Sequence, residues 1–146
     1  MRLSLEPLVA AAALSIALAA SPAFASELKY QAVLTADVET PPTTSPGTGT
    51  VEATYDTDAK TLTWTVTYKD PTGDVTAAHF HGPARAGEKA APVVPIVAPY
   101  ASPIKGSATL TDTQYGDLQK GLWYFNLHTA KYPDGEVRGQ LEAVHP

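Results

Sequence analysis

From Leu28 onward, apolar and polar residues alternate with a period of two in short segments separated by turn formers. In "ELKYQAVLTA" the apolar positions are Leu28, Tyr30, Ala32 and Leu34, the spacing that turns one face of a strand toward a core. "GTVEATYDTDAKTLTWTVTYKD" carries two such runs, Val51, Ala53, Tyr55 and then Leu62, Trp64, Val66, Tyr68, around the turn "DTDAK". This predicts a hairpin whose second strand is apolar on one face and covered with threonine on the other. "TAAHFHG" predicts a further strand with Phe80 pointing inward. "LWYFNLHT" and "GEVRGQLEAV" predict two more, joined by "AKYPDG".

Between these runs the pattern lapses. "VETPPTTSPGTGT" is a loop by its prolines and glycines. "PARAGEKAAPVVPIVAPYASPIKG" is an irregular excursion, in which Pro92, Pro95, Pro99 and Pro103 confine any pairing to a sheet edge or a bulge. "TLTDTQYGDLQKG" predicts one helix, with Thr111 as its cap, Gln114 completing a capping box and Gly121 as a left-handed stop. Short strands at regular spacing with one helical connector imply an all-β fold, an antiparallel Greek-key sandwich or barrel with one short helix.

The first 25 residues belong to a different pattern. Arg2, an apolar run from Leu8 to Ala20 and the small-residue sequence Ala23, Phe24, Ala25 read as a cleaved export signal. Residues 26–146 then form a single domain, exported to the periplasm or secreted. The net charge of −5 offers no basic face for nucleic acid, and no membrane partner is expected once the signal is removed. The absence of cysteine excludes disulfides, thiol catalysis and thiolate metal sites, so burial of apolar surface must hold the domain together.

Strand parity then brings out a chemistry. Residues i and i+2 of a strand share a face about 6.8 Å apart, so His79 and His81 lie together on the face opposite Phe80. If Trp123, Phe125 and Leu127 point inward, then Tyr124, Asn126 and His128 point outward. If Val137 and Leu141 point inward, Arg138 points outward too. Three of the chain's four histidines and one arginine are thus expected on the solvent side. His145 has the inward parity and is a fourth candidate through its place near the chain end. Parity does not make the strands neighbours, so these residues are either metal ligands or solvated polar side chains. All-imidazole ligation suits copper or zinc, with nickel or iron possible, and disfavours calcium and magnesium.

The ordered segments "HFHGPARAGEKAAPVV" and "LTDTQYGDLQKGLWYFNLHTAKYPDGEVRGQL" resemble the chordin-type (CHRD) domain. Its H-x-H-G-P-A pattern falls on His79, His81, Gly82, Pro83 and Ala84. Its Y-x-N-x-H-T strand falls on Tyr124, Asn126, His128 and Thr129, and its P-x-G-E-x-R-G-Q segment on Pro133, Gly135, Glu136, Arg138, Gly139 and Gln140. The resemblance covers nearly all of residues 28–142.

The "HFH" strand is also locally similar to the copper-binding strand of copper/zinc superoxide dismutases, where a later histidine and an arginine complete the site. That similarity implies an immunoglobulin-like or superoxide-dismutase-like sandwich with one copper ion on His79, His81 and His128. It makes Arg138 the catalytic residue that attracts superoxide, and His145 or water the fourth ligand. The cysteines of those enzymes and their zinc-site histidines and aspartate are missing here. The similarity is therefore to copper-only forms, and zinc is not expected. The expected function is copper binding with superoxide dismutation. The alternatives are a non-catalytic copper-binding protein and a metal-free adhesion or protein-binding module.

Overall fold

The computed structural model describes residues 26–145; the expected export signal lies outside them. Strands β1 (Glu27–Leu34), β2 (Thr48–Asp56) and β3 (Thr61–Lys69) form an antiparallel meander. Its inner face is the apolar alternation of the sequence: Tyr30, Ala32, Leu34, Val51, Ala53, Tyr55, Leu62, Trp64 and Val66 are all buried. Its outer face is hydroxylated, and Thr50 and Thr67 meet across β2 and β3 at 2.8 Å. In the β2–β3 turn, Asp56 Oδ1 accepts from the backbone of Asp58 and Ala59, the local bond that makes aspartate a turn former.

Strands β4 (Val75–His81) and β5 (Pro92–Pro95) pair next, followed by β6 (Ile104–Thr109), helix α1 (Asp112–Gln119), β7 (Tyr124–Thr129), β8 (Val137–Gln140) and β9 (Glu142–Ala143). The strands make two antiparallel sheets, ordered β6-β3-β2-β1-β9 and β5-β4-β7-β8. Phe80 joins them, with its ring 5.2 Å from Trp64 and 4.9 Å from Phe125. The all-β expectation is met as a two-sheet sandwich. The helix has the cap expected of it: Gln114 N–H donates to Thr111 Oγ1, and Thr111 N–H donates to Gln114 Oε1. Tyr115 then stacks on Tyr55 at 4.2 Å, fixing α1 to the core.

Two elements depart from the sequence reading. Residues 104–109 form β6, where an irregular segment ending at Gly106 was expected. The alternation is hidden there because Gly106 takes a core position: a Cβ would come within 2.5 Å of Trp64 Cζ2, so the indole fills the place of a side chain. Residues 135–144 form two strands in different sheets and not one. The chain turns at Leu141, which is fully buried and donates its N–H to Trp123 O. That crossing closes one side of the sandwich. Thr35 and Arg138 exchange two backbone hydrogen bonds of 3.0 Å between the sheets, and Gly139 lies so close to Val33 O that a Cβ would overlap it. As expected, proline-bearing β5 is an edge strand with a register shift between Phe80 and His81.

Candidate metal centre

The two sheets treat their outer faces differently. Alternate residues of β3 are exposed or half-buried, whereas all six residues of β7 are buried. Residues 35–47 and 82–91 lie over the second sheet. Thr43 Oγ1 donates to Glu136 O at 2.7 Å, Ser45 Oγ to Glu136 Oε1 at 2.6 Å, and Ala90 N to Tyr124 Oη at 3.2 Å. The parity reading of β4, β7 and β8 is therefore right about direction and wrong about solvent.

Beneath that cover three imidazoles converge. In the β4–β7 register His79 lies opposite Asn126 and His81 opposite Tyr124, which brings His128 beside the H-x-H pair. One ligand nitrogen from each of His79, His81 and His128 lies within 4.8 Å of the others. Nδ1 of His79 is 3.1 Å from Nε2 of His128. Two rings are anchored from behind: His81 Nδ1 donates to Ala90 O and His128 Nδ1 to Pro133 O, each at 2.9 Å. A proton held on Nδ1 leaves Nε2 with its lone pair free, the arrangement by which ligating histidines are oriented.

Burial lowers the pKa of all three. For His79 it is reinforced by the charges of His128 and His81. For His81 it outweighs the hydrogen bonds to Ala90 and Asn126, and for His128 it outweighs the bond to Pro133 and the charge of Asp134. Unprotonated imidazoles are what a metal requires. Two ligands bound at about 2.0–2.1 Å stand at most about 4.2 Å apart, so the rings need close by less than about 1 Å to share one ion. The donor set fits a nitrogen-ligated transition metal.

The other two predicted residues stand elsewhere. His145 is exposed, two residues beyond β9 at the edge of the other sheet, and is not part of the group. Arg138 shares the outer face but is only 2% exposed. Its guanidinium lies 3.4 Å over the Tyr124 ring, whose other side stacks on His81 at 4.7 Å with an interplanar angle of 1°; the strand order β4-β7-β8 puts Tyr124 in the middle. Nη1 donates to Thr40 Oγ1 at 3.4 Å, and Nη2 has no partner among the described residues. Burial lowers the pKa of the guanidinium, while Tyr124 and Glu39 oppose that effect. Arg138 makes no ion pair with Glu136, its near neighbour on the chain. Glu136 instead accepts from Ser45, Thr72 and Thr129. Burial alone would raise its pKa, and these bonds outweigh burial and hold it below the ordinary value.

Glu39 was not visible as a site residue in the sequence. It comes from the proline- and threonine-rich loop, where no periodicity marks it, yet it is 5% exposed and accepts from Thr40 N–H. Burial raises its pKa against the effects of Thr40, Arg138, Lys89 and Asn126. Asn126 was legible by parity as an outward residue of β7. What parity could not give is its contact, Oδ1 at 3.0 Å from His81 Nε2.

Neither a curated protein nor a solved structure matches the chain. The CHRD domain family does match, over residues 30–141, from the middle of β1 to the turn after β8. That span contains the three histidines, the strands that present them and both covering segments, and this chain belongs to the CHRD domain family.

Proposed function

We propose that this chain is an exported copper-binding domain that holds one ion on His79, His81 and His128. The observation that carries the reading is their convergence, with two of the rings fixed by backbone carbonyls so that Nε2 is presented. Imidazoles without thiolate or carboxylate partners suit copper well, and the local likeness to copper-only dismutases favours it over zinc. The leader in residues 1–25 supports export to the periplasm or beyond.

The chain's own residues supply rigidity and dryness. Ala90 O and Pro133 O fix two tautomers, Tyr124 covers one face of His81, and the segments over the sheet keep bulk water from His81 and His128. His79 is only partly buried and provides the open side. When bound, copper supplies a one-electron redox couple.

The open side also favours a second reading, superoxide dismutation, in which two superoxide anions and two protons become dioxygen and hydrogen peroxide. Arg138 is too deeply covered to receive the anion and would act on it through its field alone. A buffer or carrier role therefore comes first. Copper stoichiometry of the exported protein tests the binding, and the dismutation rate per bound copper tests the activity. One ion per chain, lost in His79→Ala/His81→Ala, is the expected result. A rate no greater than that of free copper ion leaves the carrier role, and no bound copper after reconstitution overturns both readings in favour of a metal-free binding module.

A further inference from the structure

His81 is hemmed in by oxygen on both sides. Its Nδ1 is 2.9 Å from Ala90 O and its Nε2 is 3.0 Å from Asn126 Oδ1. A neutral imidazole carries one N–H and can satisfy one of these acceptors. With the proton on Nδ1, a lone pair and an amide oxygen face one another at 3.0 Å, a repulsive contact unless something electron-poor lies between them. A spacing of 3.0 Å is within the reach of two donors on one ion, each bound at about 2.0–2.1 Å.

The orientation of the amide is set by its other end. Asn126 Nδ2 and Glu39 Oε2 flank the same point above Gly135, 2.8 Å and 2.7 Å from where a Cβ would stand. Any side chain at position 135 would be driven between them. Glu39 Oε2 has no hydrogen-bond partner among the described residues, and Asn126 Nδ2 is the donor on the other side of that point, close enough to act against the rise in the Glu39 pKa. The reversed amide would aim Oδ1 at the carboxylate, acceptor against acceptor. Asn126 also lies directly across from His79 on β4 and two residues before His128 on β7, in the midst of the three imidazoles.

The geometry points to Asn126 Oδ1 as the fourth ligand of the three-histidine site, with Glu39 as the positioning residue that turns this oxygen toward the ion. This inference rests on the copper-binding reading above. It replaces His145 with a residue inside the cluster and gives the site an N3O donor set. An amide oxygen is a hard donor, so it favours copper(II) over copper(I).

Asn126 is the only asparagine in the chain, so asparagine labelled with 13C in its carboxamide marks one position. In the full exported protein loaded with copper(II), pulsed electron paramagnetic resonance should show hyperfine coupling to that carbon together with coupling to imidazole nitrogen. Asn126→Ala should weaken copper(II) binding about 10–100-fold and copper(I) binding by a smaller factor. A merely structural role would weaken both alike. Asn126→Asp, which keeps an oxygen in place, should retain copper(II) affinity and decides the matter if the alanine variant does not fold. Glu39→Gln should weaken the 13C coupling while the nitrogen couplings remain. Nitrogen coupling without 13C coupling, with equal losses for both copper states in Asn126→Ala, would overturn the Asn126 assignment and leave the three-histidine site standing. Absence of copper binding by the unaltered protein would overturn both.

Discussion

The five-stranded and four-stranded sheets share one core and differ on their outer faces. The first leaves the threonines of β3 exposed or half-buried, with Thr65 opposite Glu52 on β2 and Lys105 on β6. The second buries His81, Tyr124, Asn126, His128 and Arg138 under two loops. A face wetted by solvent needs only side chains that hydrate. A covered polar face needs a partner for every group, because an unpaired buried donor or acceptor costs about 1–3 kcal/mol. The three-histidine group stands on the covered face, where imidazoles can be kept neutral and held in place.

The sharpest way to break this contrast is to remove a polar anchor from the covered side. Glu136→Ala strips the acceptor from Ser45, Thr72 and Thr129, and should cost about 3–4 kcal/mol in denaturant unfolding. The next largest effect is gained and not lost. Copper at about one hundred times its dissociation constant should stabilise the protein by about 2.7 kcal/mol. Thermal scans with and without copper should show that rise, and His128→Ala should abolish it.

Acidification gives a third, smaller effect. The depressed Glu136 value means that the unfolded chain takes up this proton first, so its contribution is fully present above the ordinary carboxylate pKa of about 4.3 and is lost as pH falls through the folded value. The three lowered histidines act in the same direction at higher pH. Below about 6.5 the unfolded chain binds protons that the folded one resists. Stability of the chelator-treated protein should therefore fall in two stages on acidification, and Glu136→Gln should flatten the lower stage. The smallest effect belongs to the wetted face, where Thr65→Ala should change stability by no more than about 0.5 kcal/mol.

The same contrast explains what the sequence disclosed. The first sheet was legible because solvent on one side writes an alternation into β1, β2 and β3. The helix was legible through the chemistry of its ends, at Thr111, Gln114 and Gly121. The histidines could be assigned to one face because Phe80, Phe125 and Val137 mark the other. Parity gives direction and not cover, so it placed Arg138 correctly on the sheet and wrongly in solvent. It also could not reveal Glu39, which reaches the site from a loop 99 residues before Arg138 in the chain. β6 stayed hidden because the indole of Trp64 fills the gap at Gly106, leaving no apolar side chain there to read.

The most direct test of the central claim is a crystal of the copper-treated protein measured at the copper absorption edge. The proposed copper site requires one anomalous peak per chain, within bonding distance of His79 Nδ1, His81 Nε2 and His128 Nε2. A peak at His145 alone, or no peak between those three imidazoles at full copper saturation, would contradict it.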